Sequence, residues 1–176
     1  GDNSMDGGLG VDTLSYANAG AAVIASLTSQ SATGGDGNDI IRRFENLIGS
    51  SFNDTLTGNI RANQISGGDG ADSIYGGIGV DTLDGGDGSD TLVGADGQDV
   101  LIGGAGADVF RYILARQSGI TPQSRDSIAD FSAAQGDKID PSAFMLRDRA
   151  RPRSTRQGLG GTAQVALREV WHTLNN

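Results

Sequence analysis

The sequence predicts an all-β chain: a right-handed β-solenoid of nine-residue units, wound as a parallel β-roll and closed by a C-terminal cap. Three observations predict it. Five units run without a gap from Gly67 to Arg111, reading GGDGADSIY, GGIGVDTLD, GGDGSDTLV, GADGQDVLI and GGAGADVFR. Four columns stay in register across them: Gly at position one (67, 76, 85, 94, 103), Gly at position four (70, 79, 88, 97, 106), Asp at position six (72, 81, 90, 99, 108) and an apolar residue at position eight (Ile74, Leu83, Leu92, Leu101, Phe110). Finally, the acidity sits almost wholly in aspartate, since Glu45 and Glu169 are the only glutamates among 22 acidic residues. Surface charge for solubility does not select Asp over Glu so strongly, whereas oxygen ligands presented from tight loops do.

Within a unit, GGxGxD makes a turn and the last three residues a short strand. Glycine at positions one, two and four permits positive φ and close stacking of loops. Position eight points to one side of the strand, and positions seven and nine to the other. Ile74, Leu83, Leu92, Leu101 and Phe110 are therefore the expected interior, with Ser73, Thr82, Thr91, Tyr75 and Asp84 outside. One short strand cannot bury a single apolar side chain alone. Two units must form one coil, which sends alternate strands into two facing parallel sheets and stacks loops eighteen residues apart. One edge then carries Asp54, Asp72, Asp90 and Asp108, and the other Asn63, Asp81 and Asp99.

In chain order, GDNSMD fits positions four to nine of a unit, which predicts a chain cut from a longer protein. GGLGVDTLS (7–15) fits the full pattern with Asp12 and Leu14, and GGDGNDIIR (34–42) with Asp39 and Ile41. Between them AAVIASL (21–27) is β-rich and predicts one or two longer strands. RFENLI (43–48) reads as a six-residue insertion that breaks the register. GSSFNDTLT (49–57) and GNIRANQIS (58–66) then lead in phase into the strong array. The roll is expected over 1–113 and a cap over 114–146, the latter as a strand, a turn at Gln135–Gly136 and another strand, laid over an end that otherwise exposes core and strand edges. Residues 147–176 form a tail that carries five Arg in RDRARPRSTR. Charge divides in the same place, with a net of −13 over 1–146 and +4 over 147–176.

Adjacent strands lie ~4.8 Å apart, so each edge becomes a ladder of carboxylates at about that spacing. Two like charges at ~5 Å repel by ~1 kcal/mol in water and roughly 3 at an effective dielectric of 20, a term that a divalent cation between loops reverses. Calcium suits such a site: it takes six to eight oxygens at ~2.3–2.6 Å in tolerant geometry. Zinc and copper want His or Cys, and the chain has one His and no Cys. Magnesium sheds water reluctantly and fits an all-protein cage poorly.

The candidate metal residues are Asp72, Asp81, Asp90, Asp99 and Asp108, then Asp54, Asp12 and Asp39. The loop residues Gly67, Asp69, Gly70, Gly76, Gly79, Gly85, Asp87, Gly88, Asp96, Gly97 and Gly106 join them. Stacked loops from 49 to 108 suggest about four or more calcium ions, with Asn63 and Ala95 as weak points. Binding and folding are expected to be coupled, at the ~10⁻⁴–10⁻³ M typical of extracellular calcium modules.

Residues 7–15, 34–42 and 49–111 resemble the RTX family of hemolysin-type calcium-binding repeats. VDTLSYANA, GGDGNDIIRRFENLIGSSFNDTLTGN and RDSIADFSAAQGDKID are similar to C-terminal modules of serralysin-type proteases and alginate C5-epimerases. The resemblance implies a secreted, extracellular or cell-surface protein exported by a bacterial type I secretion machinery, unfolded in the cell and folded by calcium outside. It implies calcium ligation by the position-six Asp side chains together with loop carbonyls. Pro141 and the Arg-rich tail depart from it, and the tail reads as an export signal, a binding tail or a segment foreign to the repeat.

Two functions follow, a calcium-dependent folding and export module or an accessory module binding an anionic polysaccharide such as alginate. The second would use Arg42, Arg43, Arg61 and the 147–156 cluster. No enzyme is expected of this module. There is no HExxH helix and no GxSxG elbow, His172 is the sole histidine, and the Asp pairs are periodic as ligands are. No cofactor other than calcium and no nucleic-acid partner is expected, and no apolar run approaches the ~18 residues of a membrane span.

Overall fold

The computed structural model describes residues 1–35, 37–113 and 126–140, and the described residues hold fifteen strands and no helix. One sheet has nine strands. In spatial order they are β1 (Ser4–Asp6), β5 (Gly37–Arg42), β4 (Ser31–Gly34), β3 (Val23–Ser26), β7 (Thr55–Thr57), β9 (Ser73–Gly79), β11 (Thr91–Gly97), β13 (Val109–Arg111) and β15 (Lys138–Asp140). The facing sheet has six: β14 (Ser127–Ile128), β12 (Val100–Ala105), β10 (Thr82–Asp87), β8 (Gln64–Asp69), β6 (Asn46–Ile48) and β2 (Thr13–Ser15). Every pairing is parallel except β3–β4 and β4–β5. The chain is thus a parallel β-roll.

The register is the one that period nine, taken twice, demands. Leu56 pairs with Ile74, Ile74 with Leu92 and Leu92 with Phe110 in one sheet. Ile65 pairs with Leu83, and Leu83 with Leu101, in the other. These side chains meet in one core, and each is at most 2% exposed. A one-residue slip would turn the whole column outward, so the apolar column itself fixes the register.

Three features differ from the sequence expectation. RFENLI is no insertion between units. Asn46–Ile48 is a repeat strand, with Leu47 paired to Leu14 on one side and Ile65 on the other. The phase break lies before it, where Ile41 and Leu47 stand six residues apart instead of nine. The loop of this unit lacks glycine, and Arg43, at position four, is held at a positive φ of 58°.

AAVIASL contributes β3, which turns back through Gln30 (φ 57°) into β4 and so inserts two antiparallel strands between β5 and β7. Ala25 and Ala32 face the core from these strands, each 1% exposed.

Residues 126–140 form the expected strand, turn through Gln135–Gly136 and second strand, but the two strands continue the two sheets rather than lie across the end as a lid. β14 extends the six-stranded sheet by pairing Ile128 with Leu101, and β15 extends the nine-stranded sheet by pairing Ile139 with Phe110. Phe131 packs on this end, its ring 6.2 Å from that of Phe110. The rest of the expected cap and the Arg-rich tail lie outside the described residues.

Ala95 replaces glycine at position two, opposite Gly77, and is held at φ 78°. A Cβ is disfavoured there by about 1 kcal/mol. Ala95→Gly is expected to stabilise the calcium-loaded chain by about that amount, offset in part by greater freedom of the unfolded chain. Urea unfolding at saturating calcium measures the difference.

Candidate metal centre

Position six joins loop to strand, so its residue offers a backbone N–H to the stack and a carboxylate beside the loop. The structure uses both in one repeated device. From Asp54 and Asn63 onward, the N–H of a position-six residue donates to the Oδ1 of the position-six residue one coil later. Along one edge the bonds run from Asp54 to Asp72 (2.7 Å), Asp72 to Asp90 (2.8 Å), Asp90 to Asp108 (2.9 Å) and Asp108 to Asp137 (3.1 Å). Along the other they run from Asn63 to Asp81 (2.8 Å), Asp81 to Asp99 (2.9 Å) and Asp99 to Asp126 (3.1 Å).

Oδ1 is thereby satisfied, and Oδ2 is not. The Oδ2 atoms of Asp72, Asp81, Asp90, Asp99 and Asp108 are buried without a hydrogen-bond partner, in side chains at most 3% exposed. An orphaned buried acceptor costs free energy unless something binds it. Glycine keeps the adjoining space open. At Gly67, Gly76, Gly85, Gly94 and Gly103 an added Cβ would collide with the Oδ2 of the Asp five residues on.

Among the described residues no three acidic or histidine side chains converge on one point. Each of these loops buries one carboxylate, that of position six, and backbone carbonyls of the stacked loops lie close by as further oxygens. The carbonyls of Gly70, Gly79 and Gly88 lie against the glycines at 88, 97 and 106 of the next coil. Asp69 and Asp87 are exposed and Asp96 is half-buried. An all-oxygen set of this kind fits calcium.

Burial pushes the carboxyls of Asp72, Asp81 and Asp90 up to about 6, with neighbouring Asp charges adding to the rise and the N–H bonds opposing it. Asp99 and Asp108 are raised for the same leading reason. Desolvation thus outweighs the mutual repulsion on which the sequence argument rested.

The sign for metal-free folding follows. A carboxyl raised from 3.8 to about 6 contributes stability that is fully present below 3.8 and lost as pH rises through about 6. In chelator, far-UV circular dichroism is expected to show more strand at pH 5 than at pH 7.5, and equal spectra would contradict this.

The other predicted carboxylates are placed differently. Both oxygens of Asp54 are occupied: Oδ1 accepts from Val23 N (2.7 Å) and Ser50 Oγ (2.8 Å), and Oδ2 from Ser50 N (2.5 Å). Asp39 accepts from Asn3 N at Oδ1 (2.9 Å) and from the Tyr16 hydroxyl at Oδ2 (3.0 Å). Asp12 directly precedes edge strand β2 and is half-buried, with its Oδ2 unpartnered.

Three members of the column escaped the sequence reading. Glu45 fills position six of the unit at 40–48, its Oε2 accepting from Asp12 N (3.1 Å). Asp126 and Asp137 close the two ladders, each two residues before an inward isoleucine, and that D-x-I spacing is the signal that could have found them. Asp126 is pushed up to about 7, chiefly by burial and then by the charge of Asp99.

The arginines offered for a polyanion are partly engaged. Arg43 holds Asp6 at 2.5 Å and Arg61 holds Glu45 at 2.6 Å. No helix among the described residues is long and apolar enough to cross a membrane. No curated protein matches this chain. A family model, the RTX calcium-binding nonapeptide repeat, matches in four copies over residues 31–42, 48–83 and 84–111.

Proposed function

Since residues 31–42 and 48–111 of this chain match RTX calcium-binding nonapeptide repeats, we propose that the chain is a calcium-binding module of an exported protein, whose strong array at 67–111 stays unwound in a calcium-poor cytosol and winds into a roll outside the cell. RTX repeats bind calcium and are generally non-catalytic, and no catalytic family is indicated for this chain. The carrying observation is the set of five orphaned Oδ2 atoms at Asp72, Asp81, Asp90, Asp99 and Asp108. These side chains, with carbonyls from the loops at 67–70, 76–79, 85–88, 94–97 and 103–106, are the proposed ligands. Asp12 is a further candidate at the outer edge. Asp39 and Asp54 are weaker ones, because protein donors already take both of their oxygens.

Calcium then supplies positive charge and flexible oxygen coordination, while the chain's own residues fix where it lies. The Oδ1 ladder holds each carboxylate in place, and the position-one glycine keeps its second oxygen accessible. Export by a type I machinery and an extracellular or cell-surface location are the finer parts of this proposal. An array that stays unwound at low calcium and winds only where calcium is plentiful suits export before folding is complete. The polysaccharide reading receives less support, since Arg43 and Arg61 are paired with acidic side chains.

Calorimetric calcium titration of the full chain tests the proposal. Wild-type protein is expected to take up about four or more ions at ~10⁻⁴–10⁻³ M. Asp90→Asn is expected to remove at least one of them and to shift the midpoint at least tenfold, roughly 1.4 kcal/mol. Magnesium binding equally well, or unaltered stoichiometry in the variant, would reject it.

A further inference from the structure

The acidic column changes character along the chain, and the change falls at one place. From Asp72 onward the repeats of the strong array leave Oδ2 without a partner. Before it, the position-six groups are satisfied by the protein itself. Asp54 has Ser50 and Val23 as donors. Asn63 carries no charge, accepts from Asn59 N (2.8 Å) and donates its Nδ2 to the Glu45 carbonyl (2.7 Å). Glu45 lies between the Arg61 guanidinium and Asp12 N. Asp39 has Asn3 and Tyr16. Only Asp12, half-buried just before the outer strand, breaks the pattern.

We propose that residues 1–66 form their part of the roll without calcium and serve as the preformed template on which calcium winds residues 67–111. The proposal rests on the calcium reading above. It departs from the uniform repeat assignment, because the copies matched at 31–42 and in the first part of 48–83 have exchanged metal for internal donors.

Physical chemistry separates the two halves. A buried carboxylate that accepts two or three hydrogen bonds, or faces a guanidinium, is stable in its charged form. A buried carboxylate with an orphaned oxygen is not. The first half also contains the antiparallel run β3–β4–β5, whose tight connections close at low entropic cost and without help from a metal. Its last strands are the growth edges, since β7 receives β9 and β8 receives β10. Each calcium-bound coil added there finds a parallel partner already in place, which removes the nucleation step that an isolated array would face.

Hydrogen exchange followed by mass spectrometry on the full chain, in chelator and in saturating calcium, tests this. The amides of 23–26, 31–34 and 46–48 are expected to show ~100-fold or greater protection under both conditions, and those of 73–105 only with calcium. Loss of protection in 23–48 together with 73–105 on chelation overturns the template and leaves the calcium function standing. Protection of 73–105 that ignores calcium overturns both. Ser50→Ala, which removes one donor to Asp54, is expected to lower chelator-state protection of 23–26 at least tenfold while calcium stoichiometry is unchanged. Protection unchanged in that variant counts against internal donors as the replacement for metal.

Discussion

Adding a chelator to the calcium-loaded chain is expected to abolish the strand signal of residues 67–111, and restoring calcium to bring it back. The reason is arithmetic. Five carboxylates, each at most 3% exposed, hold an oxygen that no protein donor reaches. An uncompensated buried charge costs several kcal/mol after relaxation. Total stability of a domain is only about 5–15 kcal/mol, so a handful of such sites exceeds what the apolar column returns. That column is narrow, with one apolar side chain per nine residues in the array. Far-UV circular dichroism against free calcium measures the transition. A spectrum that chelator leaves intact at neutral pH would contradict the expectation.

Gly88→Ala is expected to prevent calcium-driven winding of the strong array. Gly88 adopts φ +144°, and an added Cβ would strike the carbonyl of Gly70, whose carbon it would approach to 2.6 Å. The obstacle is backbone on an adjacent coil, so no side chain can swing aside. Strain at the residue adds to a forced separation of two loops, a loss of about 3 kcal/mol or more. In titrations the folding midpoint should rise at least tenfold or the transition vanish. Gly8→Ala is the matched control: its φ is +96°, yet nothing lies within 4 Å of its added Cβ. Only local strain remains there, about 1–2 kcal/mol, and winding of 67–111 should persist.

The array at 67–111 was legible because each unit states its own register, with glycines setting the loop, Asp the join and one apolar residue the interior. Two sheets, eighteen-residue pairing and two acidic edges follow from that alone. The unit at 40–48 was not legible. Its loop carries Ile40, Ile41 and Arg43 where glycines belong, and Glu45 where Asp belongs, so only Leu47 retained the pattern. Asp126 and Asp137 were obscured by spacing: the bonds that tie them to the ladders span 27 and 29 residues, not 18. The antiparallel pair β3–β4 reads as β-rich sequence, but its direction depends on a turn through Gln30 that composition does not announce. The division between satisfied and orphaned carboxylates was the least visible feature. It rests on Ser50, Asn63, Arg61 and Tyr16, ordinary polar residues whose importance lies in the atom they reach.

The hydrogen-bond ladder has a direction, and damage to it travels one way. From Asp54 onward each position-six N–H leans on a carboxylate one coil nearer the C-terminus, through Asp72 and Asp90 to Asp108. Removing the carboxylate of Asp90 therefore strands the amide of Asp72, while the amide of Asp90 keeps its hold on Asp108. The two ends of the stack are chemically unlike, one ending in donors and the other in acceptors. Any extension of the roll, by its own chain or by another, has to arrive head to tail.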